Sequence, residues 1–148
     1  NVNRLLRQLG EPHMFVTVCY GVLTPHDGRF MYCRAGHDYP LLLRDDRASQ
    51  LQSPGTVLGY FDDSELNLSE DLLTMQPGDR LILYTDGLTD VLDASGTRYN
   101  LEQLEEMVCR YAACSAAELI EETFAALAAF QGQAEQFDDM TMLVIEVA

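Results

Sequence analysis

The sequence predicts an α+β domain, and three observations carry that reading. Apolar runs rich in β-branched and aromatic residues recur between Pro/Gly turn signals, which makes most strand pairings antiparallel. Two adjacent stretches near the C-terminus carry apolar residues at helical spacing behind N-cap signals. A last apolar run, Met140 to Val147, returns the chain to a sheet. The predicted order is the end of a helix, about six strands, two helices and a final strand, arranged in layers of sheet and helix.

Val2, Leu5, Leu6 and Leu9 recur at helical spacing and stop at Gly10, with Pro12 beyond it, so the chain opens on the end of a helix. Met14 to Leu23 reads as a strand, Thr24-Pro25-His26-Asp27-Gly28 as a turn and Arg29 to Ala35 as the returning strand of a hairpin. The loop Gly36 to Pro40 precedes a short third strand, Leu41-Leu42-Leu43, which the charges Asp45-Asp46-Arg47 end. Residues 51–60 hold two glycines and a proline and wander. Alternation at Leu66 and Leu68, continued by Leu72, Leu73 and Met75, predicts an outer or interrupted strand.

Gln76-Pro77-Gly78-Asp79 is a turn, and the unbroken run Leu81-Ile82-Leu83-Tyr84 after it reads as a strand covered on both faces. A loop at Asp93-Ala94-Ser95-Gly96 follows. Asn100 caps a helix with the stripe Leu101, Leu104, Val108 and Tyr111. Ser115 and Glu118 form a capping box for a second helix with the stripe Ile120, Phe124 and Leu127, closed by Gly132.

The 148 residues suffice for one domain with a sizeable core, and 47% hydrophobic content excludes a mainly disordered chain. Nine basic against 24 acidic residues give a formal charge of -15, which opposes binding to nucleic acid phosphates and anionic membranes. A protein, a cation or a small molecule is the expected partner. No apolar run reaches the ~20 residues of a membrane span, and no signal peptide opens the chain, so it reads as cytoplasmic. Cys19, Cys33, Cys109 and Cys114 lack CxxC spacing and read as reduced thiols, although Cys19 and Cys33 face each other in a hairpin and leave a disulfide open. The chain begins at Asn1 rather than Met, inside a helical pattern, which reads as a piece of something longer.

Two carboxylate clusters end the two most apolar strands: Asp86 after Leu81 to Thr85, and Asp138-Asp139 before Met140. If those strands are antiparallel neighbours, the carboxylates converge, at a cost that a cation relieves, and hard oxygen donors suit Mg²⁺ or Mn²⁺. Asp-Gly is equally a common turn dipeptide, so turn and cap carboxylates in a very acidic protein remain an equal reading at this point. GxSxG, P-loop, GxGxxG and HExxH patterns are missing, which removes local support for those chemistries. His13 and His26 read as exposed and inert. His37, between Gly36 and Asp38, is the histidine in a loop placed to line a site, with a structural hydrogen bond as its plainer role. Arg34 and Arg44 flank that loop, with salt bridges expected before phosphate binding.

The series MFVTVCYGVL, RFMYCRAGHDYPLLLR, PGTVLGYF, MQPGDRLILYTDGLTDV and FDDMTMLVIEV resembles, in order and spacing over roughly Asn3 to Val147, the metal-dependent protein serine/threonine phosphatases (PPM family). It is most similar to their bacterial branch of stage II sporulation protein E and sigma-factor-regulator phosphatases. The resemblance implies an αββα sandwich of two antiparallel sheets flanked by helices, with a dinuclear Mn²⁺/Mg²⁺ centre and direct attack of water on phosphorus without a phosphoenzyme. It implies metal ligation by Asp86 and Asp138, with Asp139 beside it, and supporting roles for Gly87 and for His37 of the AGH motif.

The family's first two motifs, a GGDF-like strand and a DVSGHG-like turn, belong ahead of Leu9 and are absent from this sequence. Residues 1–148 are therefore expected to be the C-terminal portion of one phosphatase domain, lacking the N-terminal strands, with half a metal site and little turnover alone. Asp90 where Glu is common, and Tyr99-Asn100 where Phe-Gly is common, are smaller departures. By resemblance, the whole protein carries an upstream sensor or receiver domain and dephosphorylates phosphoserine or phosphothreonine on an anti-anti-sigma-like regulatory protein. A degenerate module that binds such a partner without turnover is the alternative, and an acidic domain whose carboxylates are only caps and turns is the third.

Overall fold

The computed structural model describes residues 2–10 and 13–147; Pro12, expected just past the first helix, lies outside them. The elements run α1 (Val2–Leu9), β1 (Val18–Thr24), β2 (Arg29–Ala35), β3 (Leu41–Arg44), β4 (Arg47–Gln50), β5 (Glu70–Thr74), β6 (Arg80–Tyr84), α2 (Leu101–Arg110), α3 (Ala116–Gln131) and β7 (Met142–Glu146). Two antiparallel sheets and three helices confirm the α+β class. The chain forms two compact units, Asn1–Tyr39 with Gln52–Gln76, and Pro40–Leu51 with Pro77–Ala148.

The first unit holds a three-stranded sheet in the order β1-β2-β5. The β1–β2 hairpin pairs Val18 with Ala35 through to Thr24 with Arg29. Met14 to Thr17 are not part of that ladder, contrary to the expected strand. Val16 instead exchanges both backbone hydrogen bonds with Leu58, which pulls this segment onto the irregular 51–60 stretch. Leu66 and Leu68 likewise lie outside β5. The β1–β2 register sets Tyr20 against Cys33, so Cys19 and Cys33 fall on opposite faces and cannot bridge; all four cysteines are free.

Helix α1 forms as expected and ends before Gly10, but its apolar residues are not what it buries. Val2, Leu5 and Leu9 are 60%, 55% and 84% exposed, and the buried residue is Asn3. Its side-chain amide donates to the Phe61 carbonyl (3.1 Å) and to Asp63 Oδ1 (2.7 Å), and its carbonyl oxygen accepts from the Gly59 amide (2.8 Å). Arg4 pairs with Asp63 at 3.2 Å and Arg7 pairs with Asp62. The helix docks by its polar edge because that edge satisfies the backbone of the 59–63 loop.

The second unit holds a four-stranded antiparallel sheet in the order β4-β3-β6-β7. Strand β4 was not expected: Asp45 and Asp46 form a two-residue hairpin loop with φ of 51° and 58°, rather than simply ending β3. Both dihedrals lie in the left-handed region that a type I′ turn requires and that Asp tolerates better than most residues. One sheet face, through Leu41, Leu43, Ile82 and Tyr84, packs with Leu104, Val108, Leu119 and Leu127 of the helices. Capping boxes at Asn100 with Gln103 and at Ser115 with Glu118 start α2 and α3, and Gly132 (φ 59°) ends α3. The buried stripe of α3 is Leu119, Thr123 and Leu127: Leu127 is as expected, and Leu119 and Thr123 replace Ile120 and Phe124, with Thr123 Oγ1 donating to the Leu119 carbonyl at 2.7 Å. Strand β7 is an edge strand, with Leu143 54% exposed, where its apolar sequence suggested full burial.

Buried charge closes the far end of β6. Asp79 accepts from Arg44 Nε at 2.9 Å and from Arg44 Nη2, as expected for Arg44. Arg80 bonds Glu146 (3.2 Å), the Ala112 carbonyl (3.0 Å) and the Cys114 carbonyl, tying the α2–α3 connection to the sheet.

Two outcomes follow for stability. Ile82→Ala should cost about 2–5 kcal/mol in urea titrations, because Ile82 is fully buried at the centre of the sheet. The Asn3 amide, and after it the Arg4 guanidinium, hold the Asp63 carboxyl below its ordinary range. A folded pKa below the unfolded one makes this anchoring of α1 complete at neutral pH and lost as pH falls through the depressed value, under about 3.9. Amide-exchange protection of Val2–Leu9 should therefore decline on acidification, and Asp63→Ala should show that loss already at neutral pH.

Candidate metal centre

The site is built by the pairing of β6 with β7. Their register runs from Arg80 against Glu146 to Tyr84 against Met142, so the C-terminal end of one strand lies beside the N-terminal end of the other. The chain leaves β6 through Thr85 into a single 3-10 turn, Asp86–Leu88. The Thr89 and Asp90 amides donate to the Asp86 carbonyl at 2.9 and 2.8 Å, which fixes the Asp86 backbone. Opposite, the Asp139 amide donates to Asp138 Oδ1 at 2.7 Å, and Gln136 Nε2 donates to the Asp138 carbonyl at 2.8 Å.

These elements gather Asp86, Gly87, Asp138 and Asp139 at one end of the sheet. All three aspartates are exposed, while Gly87 is buried. A Cβ at Gly87 would strike the Asp139 carbonyl oxygen, so glycine is required by a close approach of two backbones. Asp138 and Gly87 also line one small depression with Asp90 and Phe137. Asp90 pairs with Arg98 at 3.1 Å.

His37 belongs to the other unit. Its Nδ1 lies 3.1 Å from Thr17 Oγ1, and its carbonyl accepts from Arg34 at 2.6 Å, which is the plain structural role considered for it. Among the described residues Arg34 does not form the expected salt bridge: its Nε donates to the Ser53 carbonyl at 2.8 Å and its guanidinium stacks 4.3 Å from the Tyr39 ring centre. His26 pairs with Asp27 at 3.7 Å and is exposed.

Two residues at this end of the sheet had no signal in the sequence. Gln136 fixes the Asp138 carbonyl, and Thr85 bonds across to the strand that follows Asp139. Neither residue type nor spacing marks them, because their role exists only once β6 and β7 are paired.

The donor chemistry fits a hard divalent cation of the kind that keeps several waters and takes one or two carboxylates. Among the described residues, no group of three or more His, Cys, Asp or Glu side chains is arranged to hold a metal. No helix among them is long and apolar enough to cross a membrane.

A fold with two antiparallel sheets, and carboxylates gathered where β6 meets β7, defines a class that comparison with known proteins identifies. The family model described as Stage II sporulation protein E (SpoIIE) matches residues 1–148, and the chain belongs to that family. It is 29% identical over 138 residues to Protein IcfG of Synechocystis sp., covering 92% of this chain and 21% of that protein. It is 29% identical over 150 residues to phosphoserine phosphatase RsbU of Bacillus subtilis, covering 98% of this chain and 43% of that one. The SiaA-PP2C domain of Pseudomonas aeruginosa superposes with a TM-score of 0.83 at 18% identity, covering 97% of this chain and 56% of that chain, which shows a shared fold. The chain thus spans less than half the length of either curated relative.

The close approach at Gly87 makes Gly87→Ala a sharp probe. It should lower stability by about 1–3 kcal/mol in thermal denaturation, as overpacking does; an alanine variant as stable as the parent would show that the two backbones do not meet.

Proposed function

We propose that this chain is the C-terminal portion of a metal-dependent protein phosphatase domain that hydrolyses phosphoserine or phosphothreonine on a regulatory protein partner of the anti-anti-sigma type. The observation that carries the proposal is the β6–β7 register, which brings Asp86 together with Asp138-Asp139 in a chain of the SpoIIE family. The similarity to a protein named phosphoserine phosphatase supports the substrate class.

In this reading Asp86 and Asp138, with Asp139 beside them, hold Mn²⁺ or Mg²⁺. A bound divalent cation would lower the pKa of water and neutralise charge on the phosphoryl oxygens. The chain's own contribution is orientation. The 3-10 turn presents Asp86, the Asp138 carboxylate is steadied by the Asp139 amide, and Gly87 lets the two segments approach. An acidic surface, -15 overall, favours a partner with basic flanks around its phosphorylated residue. The partner, the cytoplasmic location and an upstream sensor or receiver domain belong to this proposal.

A second reading is favoured by the small donor set among the described residues: a phosphatase-like module that binds a regulatory protein without turnover. The two differ in the residues that precede Asn1 in the longer protein. Aspartate-bearing motifs there complete the ligand set and support the enzyme, whereas replacement of those aspartates supports the binding module.

In the protein that carries this chain, Asp86→Asn and Asp138→Asn should each abolish Mn²⁺-dependent release of phosphate from a phosphoserine protein. Phosphate release that persists in both variants sinks the mechanism.

A further inference from the structure

We propose that Thr85 is the positioning residue of this centre, its hydroxyl setting the relation between Asp86 and the Asp138-Asp139 segment. The inference rests on the reading of these carboxylates as cation ligands.

The regular β6–β7 ladder ends at Tyr84 and Met142. One step beyond it, the Thr85 amide donates to the Thr141 carbonyl at 3.1 Å. The return bond is not backbone to backbone. The Thr141 amide donates to Thr85 Oγ1 at 3.0 Å, and the same hydroxyl donates to the Asp139 carbonyl at 3.0 Å. A hydroxyl has one proton and two lone pairs, so its proton goes to Asp139 and a lone pair takes the Thr141 amide. Thr85 therefore grips the chain on both sides of Met140 while standing next to Asp86 in sequence.

The bare Cα of Gly87 makes room for the Asp139 carbonyl, and the Thr85 hydroxyl holds it there. Without the hydroxyl the room remains, but the hydrogen bond that opposes separation is gone. Binding constellations tolerate displacements of only about 0.5 Å. Partners that orient metal ligands are typically worth about 10–100-fold in affinity. Thr85→Val keeps the shape and the backbone bond to the Thr141 carbonyl, so strand pairing persists while the grip on Asp139 is lost.

The test uses the protein that carries this chain, labelled with ¹⁵N. Amide exchange is read at Thr141, and Mn²⁺ affinity is read from paramagnetic broadening of resonances around Asp86 and Asp138. Thr85→Val should accelerate Thr141 exchange and raise the Mn²⁺ midpoint about tenfold or more, and Thr85→Ser should restore both. Thr85→Ala carries the same expectation where the valine variant does not fold. An unchanged midpoint in Thr85→Val and Thr85→Ala, alongside a raised one in Asp86→Asn, overturns the positioning role. An unchanged midpoint in Asp86→Asn, or no Mn²⁺ response in the parent protein, overturns instead the metal reading beneath it.

Discussion

The antiparallel ladder between β6 and β7 is the interaction on which the second unit depends. Strand β6 is paired on both sides, with β3 and β7, and its Leu81 and Ile82 are completely buried. Side chains alternate across a strand, so a slip of one residue would move Ile82 and Tyr84 off the helix-packed face and expose the opposite set to the helices. That exchange would break the specific packing of Ile82 and Tyr84 with Leu104, Val108, Leu119 and Leu127. The core therefore specifies the register, and the register specifies which residues emerge at the end of the pair. Asp86 meets Asp138-Asp139 because Ile82 and Tyr84 must face the helices.

Charge at the opposite end specifies the same register by a separate route. Arg80 and Glu146 are ladder partners and also an ion pair at 3.2 Å, and Arg80 further bonds two carbonyls of the connection between α2 and α3. Asp79, 2% exposed, is neutralised by Arg44. Buried charges such as Asp79 and Arg80 contribute little net stability once desolvation is counted, but a shifted pairing would leave them unmatched, which is costly. They act against alternatives more than for the native state.

The sequence was readable where one local signal decided the outcome. The run Leu81 to Tyr84 has no competing interpretation, and the caps at Asn100 and Ser115 form because each motif closes on itself within four residues. Failures occurred where the deciding partner is distant. The apolar spacing of α1 marks a helix but not the face it buries, because Asn3 finds three partners at Gly59, Phe61 and Asp63 and takes the buried position. Asp45-Asp46 looked like a charged stop, because a pair of aspartates turns a hairpin only if the following strand has somewhere to pair. Asp86 and Asp138 were visible as carboxylates ending apolar strands, whereas Thr85 was invisible. Its two partners lie more than fifty residues away, and threonine at a strand end is otherwise unremarked.

Bringing exposed carboxylates together has a cost that can be weighed against what enforces it. Two unit charges ~4 Å apart in water repel by about 1 kcal/mol, and salt screens this further. Removing a buried aliphatic side chain such as Ile82 costs about 2–5 kcal/mol, and several such residues enforce the same register. Packing wins by a clear margin, so the segments that carry Asp86 and Asp138-Asp139 stay side by side against any such repulsion. A ligand that meets a prepared site loses less of its binding energy to ordering it. The β6–β7 pairing thus sets where Asp86 and the Asp138-Asp139 segment emerge, and the contacts of Thr85 and Gly87 refine what the core has already imposed.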